Sequence, residues 1–214
     1  MPLHVQNALE MLEYSIRSYL EPTMVFDEDA VYIAKKEDRI VVSFRGTLTP
    51  TLNAKEFIDS VEDWLNDADS ILVKKQYGCG LVHKGFSKSL DNLWNFILPY
   101  LDDNLKIFVT GHSKGGAIAN LFALRCYSIG KQVEEIYTFG APATGNLEHQ
   151  KYYESIFYEK HFRIVNRYDI VPHLPPSFYV FKLLNFISLF RKKIKTCNNF
   201  YSYRQLDNLS VFAA

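Results

Sequence analysis

The sequence predicts an α/β protein with a mostly parallel central sheet flanked by helices. Two observations carry this. From residue 85 onward, β-rich runs alternate with helical stretches of ten or more residues, the pattern of parallel strands joined by helical crossovers. The run 106–110 also passes through Gly111-His112-Ser113-Lys114-Gly115 directly into an Ala-rich helix, which marks a tight strand-to-helix turn. A chain of 214 residues fits a single domain, 1–214, with a sizeable core.

The elements follow in order. Residues 3–20 read as an amphipathic helix, with apolar Val5, Ala8, Leu9, Leu12 and Ile16, and Pro22 stops it. Runs 30–34 and 40–44 read as a hairpin joined by the polar turn 35–38. Arg45-Gly46-Thr47 breaks the second strand. Residues 48–62 are polar and irregular, with a short helix near 55–61, and 71–73 is a short strand. Thereafter come a helix over 85–101, a buried strand over 106–110 and a helix over 113–128. A strand over 133–139, a helix over 148–158 and a strand over 162–166 complete the series. In such sheets, sites form at the carboxyl ends of strands, so the residues just after each strand are the ones to inspect.

Composition narrows the function. With 48% apolar and 22% charged residues, the chain is neither disordered nor collagen-like. Its 24 basic and 24 acidic residues argue against a general nucleic-acid binder. Cys79, Cys126 and Cys197 are far apart and form no CxxC pair, so neither a disulfide framework nor a zinc site is indicated. No metal or cofactor is expected. The first residues lack the basic start and apolar run of a secretory signal, so a cytoplasmic setting is the default expectation, with export by another route left open.

Ser113 is the candidate nucleophile. In Gly-x-Ser-x-Gly at a strand-to-helix turn, the central residue takes a strained backbone conformation, and its neighbours two positions away must lack side chains. The turn lifts the hydroxyl above the sheet and sets it at a helix N-terminus, whose N–H groups favour developing negative charge. The Lys114 N–H would be one oxyanion donor. The plainer alternative is a serine N-cap with glycines that merely make the turn.

Several ordered motifs extend this. Residues 41–47 (VVSFRGT), 63–67 (DWLND), 82–86 (VHKGF), 137–142 (YTFGAP) and 163–176 (RIVNRYDIVPHLPP) accompany the serine turn. Together they resemble the class 3, fungal-lipase-like family over roughly residues 30–176. The resemblance implies an α/β-hydrolase fold, incomplete toward the C-terminus, and a Ser-Asp-His triad acting on acyl esters of glycerolipids. Ser113 then matches the nucleophile and Asp169 the acid. Thr47 matches the second oxyanion position, and Asp67 an acid that supports that loop. A turn-forming role for Asp169 and a helix-capping one for Asp67 are the alternatives. The family's lid would fall within 48–62, where Leu48, Leu52, Phe57, Ile58 and Val61 could form an apolar face; a plain surface loop would read the same way.

The family's histidine lies well downstream of the acid. Of His4, His83, His112, His149, His161 and His173, only His173 follows Asp169, four positions later. So short a tether makes it hard for one imidazole to reach both Asp169 and Ser113. Three readings stay open: a fragment of a longer active enzyme, an inactive lipase-like module that binds lipid or a partner, or an unfamiliar base. After Asp169, six basic residues face a single acid, and apolar 178–190 precedes the basic cluster 191–195. These thirteen residues, which include Lys182 and Asn185, are too few to span a bilayer, which takes about 20. Residues 178–195 suit either peripheral contact with anionic lipid or a buried helix beside the pocket. The oligomeric state is not readable.

Overall fold

A computed structural model describes residues 4–48 and 71–165. Eight strands are present among them: β1 (Met24–Phe26), β2 (Asp29–Lys35), β3 (Arg39–Phe44), β4 (Leu72–Lys74), β5 (Leu81–His83), β6 (Lys106–His112), β7 (Val133–Phe139) and β8 (His161–Ile164). The α-helices are α1 (Val5–Leu20), α2 (Lys84–Ile97), α3 (Lys114–Ser128) and α4 (Leu147–Phe157). Six strands form the main sheet in the order β1-β2-β3-β6-β7-β8, and β4 and β5 pair separately. β1 pairs antiparallel with β2 and β2 antiparallel with β3, whereas β3, β6, β7 and β8 are mutually parallel. This is the mostly parallel sheet that the alternating pattern predicts.

Period-two alternation decides what each face of the sheet meets. On β3, Ile40, Val42 and Phe44 point to one side with Ile107 and Val109 of β6, and there they meet α2 and α3. Val41 and Phe108 point to the other side and meet Ala8, Met11 and Tyr14 of α1. On α2, Phe86, Leu90, Leu93, Trp94 and Ile97 recur at helical spacing and are all buried. Full burial of such a side chain stabilises the fold by roughly 1.5–3 kcal/mol. α2 starts one residue earlier than expected, because the His83 ring accepts a hydrogen bond from the Phe86 N–H and caps it. It ends four residues early, where Pro99 enters a 3₁₀ turn, Leu98–Tyr100. α3 is buried on nearly every side, being enclosed by the sheet on one flank and α2 on the other.

Three departures from the sequence reading are physical. β1 and β5, of three residues each, were not read from the sequence. α1 exists where expected but turns its other face inward. It buries Ala8, Met11, Tyr14, Ser15 and Ser18 and leaves Val5, Leu9, Leu12 and Ile16 outside. Small side chains at 8, 15 and 18 let the helix lie close on the sheet, where the Thr110 hydroxyl donates to the Met11 carbonyl at 3.2 Å. Among the described residues, no helix is long and apolar enough to cross a membrane.

Candidate active site

β6 ends and α3 begins at Ser113. Its backbone lies at φ 53° and ψ −127°, a combination open to glycine and strained for any residue with a Cβ. The Ser113 N–H donates to the Phe139 carbonyl at the end of β7, 2.9 Å away, so the turn hangs from the neighbouring strand. Both flanking glycines are demanded by close approach. A Cβ on Gly111 would overlap the backbone of Gly115, and a Cβ on Gly115 would overlap the Phe44 carbonyl at the end of β3. The glycine spacing read from the sequence is therefore a clearance requirement.

The Ser113 hydroxyl is buried and has no hydrogen-bond partner among the described residues. The same holds for the Thr47 hydroxyl, which is also buried. Residues 45–48 run past the turn: a Cβ on Gly46 would lie 2.6 Å from the His112 carbonyl and 3.4 Å from the Ser113 Cβ. Thr47, the next residue, thus follows a backbone that abuts the serine. Two buried hydroxyls without a partner among the described residues thus stand beside one strained turn.

Lys114 is the first residue of α3, where helix geometry directs the N–H out of the helix. Its side chain turns away into the protein, and Nζ pairs with Asp29 Oδ1 at 2.9 Å. Asp29 Oδ2 accepts from Asn92 Nδ2 at 3.0 Å. On the other flank the Tyr19 hydroxyl accepts from the Gly46 N–H at 3.1 Å and bonds His112 Nδ1 at 3.0 Å. Burial pushes the Tyr19 phenol up to about 12, so it stays neutral. Tyr19, Asp29 and Asn92 were not foreseen from sequence; Tyr19 and Asp29 meet the turn from 93 and 85 positions away, Asn92 reaches it only through Asp29, and no local motif signals them.

Four of the five described histidines, all but the exposed His4, have other occupations. His112 bonds Tyr19, and His83 caps α2. Burial lowers His149 to about 4, partly offset by its ring's hydrogen bond to the Cys79 backbone. Burial and the nearby Arg163 charge lower His161 to about 3, and its Nε2 lies 2.9 Å from the Thr138 hydroxyl. Asp169, Asp67, His173, the 178–195 segment and residues 49–62 of the expected lid lie outside the described residues. Leu48, at the start of that stretch, is exposed. No cluster of three potential metal-binding side chains occurs among the described residues.

A serine held in a strained turn between a parallel strand and a helix, at the carboxyl end of the sheet, is the elbow architecture of the α/β hydrolases. The sequence matches the family Lipase (class 3) over residues 41–179, and the chain belongs to that family. It is 35% identical over 144 residues to a lipase of Caenorhabditis elegans, covering 64% of this chain and 38% of that one. It is 32% identical over 173 residues to a lipase of Rhizomucor miehei, covering 74% of this chain and 44% of that one. The chain thus spans about two-fifths of the length of these relatives. Among solved structures, a fungal lipase–inhibitor complex superimposes with a TM-score of 0.63 at 28% identity, over 83% of this chain and 77% of that one.

Proposed function

We propose that the protein is a serine hydrolase that cleaves acyl esters of glycerolipids through an acyl-enzyme on Ser113. The Ser113 oxygen attacks the ester carbonyl, and its proton passes to an imidazole oriented by Asp169. Negative charge builds on the former carbonyl oxygen, where the main-chain N–H groups of Thr47 and Lys114 receive it. Collapse of this intermediate expels the glycerol alcohol, which takes the proton from the imidazole. Water then releases the fatty acid by the same steps in reverse order. The observation that carries the reading is the Ser113 backbone: a strained turn beside a helix N-terminus, bearing a buried hydroxyl without a partner among the described residues, suits a preorganised nucleophile. The lipase names of the relatives support the ester substrate.

The test is labelling with a fluorophosphonate probe followed by peptide mass spectrometry, together with hydrolysis of p-nitrophenyl butyrate and an emulsified triglyceride. Covalent mass on the peptide containing Ser113, lost in Ser113→Ala along with hydrolysis, is expected. Equal rates for the two proteins and no label would favour the module that binds lipid without cleaving it.

A further inference from the structure

The side chain of Lys114 has no part in the chemistry above, yet it is only 10% exposed and ends on a similarly hidden carboxylate, Asp29. Ordering a lysine side chain costs rotamer entropy, and a buried ion pair returns little net stability once desolvation is counted. What such a pair does is fix its two ends in space. One end is the residue after Ser113. The other is the segment 28–30, which leads into β2.

That segment is also tied to the loop on the far side of the serine. The Ala30 carbonyl accepts from the Arg45 N–H at 3.0 Å, and the Glu28 carbonyl accepts from the Arg45 guanidinium at 3.1 Å. Arg45 stands two residues before Thr47. Asn92 of α2 holds the second carboxylate oxygen of Asp29, so the carboxylate cannot swing.

We infer that Asp29 and Lys114 are positioning residues: their ion pair, through segment 28–30 and Arg45, is a brace that sets the separation of the Thr47 and Lys114 amides. The inference rests on the oxyanion role proposed for those two amides. Three anchored contacts link one three-residue segment to both sides of the serine. Movement at either end therefore reaches the gap where the oxyanion must fit. Displacing a donor by an ångström costs on the order of 10²-fold in rate, whereas ground-state binding of an acyl chain elsewhere in the cleft is left alone.

The decisive variant is Asp29→Leu combined with Lys114→Met, which replaces the pair by apolar side chains of similar size and leaves no lone buried charge. On the full chain, the urea midpoint is expected to stay near that of the parent. With p-nitrophenyl butyrate, kcat should fall about 10- to 100-fold while KM changes less than about threefold. Amide exchange followed by NMR should accelerate at least tenfold at Arg45 and Gly116, with Val109 in β6 unaffected. Unchanged kcat and unchanged exchange at Arg45 and Gly116 would overturn the brace. If the parent neither hydrolyses nor labels, the proposed hydrolase fails, and exchange at Arg45 and Gly116 still decides whether the brace exists. Should the double variant not fold, Asn92→Ala frees the carboxylate alone; faster exchange at Arg45 is then the supporting outcome, and no change is the refuting one.

Discussion

Removing the Ser113 hydroxyl should stabilise the protein while ending its chemistry. The side chain is 1% exposed and its oxygen has no partner among the described residues. Leaving a buried hydroxyl unsatisfied costs about 1–3 kcal/mol, and Ser113→Ala removes that cost without altering the packing of the Cβ. Ser113→Gly also releases the backbone strain at φ 53°, about 1–3 kcal/mol. Against this stand about 0.5–1 kcal/mol for the freedom glycine gains in the unfolded chain and about 0.8 kcal/mol for the lost methylene contact. Both variants should therefore exceed the parent, Ser113→Ala by about 1–2 kcal/mol, or roughly 3–6 °C in melting temperature for a chain of this size. Urea titration followed by tryptophan fluorescence, with Trp94 buried in the core, measures this directly. A midpoint for Ser113→Ala at or below the parent's, with an unchanged slope, would show that the hydroxyl is well satisfied and would refute this reasoning.

Two further outcomes follow from the same structure. Gly115→Ala should gain about 1 kcal/mol of helix propensity but lose more, because its Cβ overlaps the Phe44 carbonyl and backbone cannot step aside cheaply; a net loss of at least about 2 kcal/mol with impaired hydrolysis is expected, and a gain in urea midpoint would contradict the clearance argument. His149 is held neutral in the fold, with its value lowered from 6.5 to about 4. The unfolded chain therefore binds the extra proton first. The stabilisation is fully present above pH 6.5 and is drawn down as pH falls toward 4, by up to about 3 kcal/mol. Relative to the parent, His149→Gln should flatten the acid limb of a plot of stability against pH, and parallel limbs would refute the assignment.

The parts of the fold that were legible in the sequence are those whose signal is local. β6, α3 and β7 follow from apolar runs, glycine punctuation and helical periodicity, and the glycines at 111 and 115 announced a turn with no room for side chains. The face of α1 was not legible. Val5, Leu9, Leu12 and Ile16 look like the inner stripe, but the small residues Ala8, Ser15 and Ser18 are what permit close contact with the sheet. At the site, Ser113 and its glycines could be read directly, whereas the partners of Lys114 and His112 could not. Asp29 and Tyr19 stand 85 and 93 positions from them. A lysine in the middle of an elbow motif reads as a solvated charge until the antiparallel β2 brings a carboxylate beside it.

The hydrogen bond from the Ser113 amide to the Phe139 carbonyl has a consequence for assembly. The bend at position 113 is held by a strand that is translated later, and by the end of β3 pressing on Gly115. Until those strands are in register, none of the described contacts enforces the contorted dihedrals at position 113. The bend is thus completed only by the finished sheet, and on the function proposed above a half-collapsed chain would lack the preorganised nucleophile.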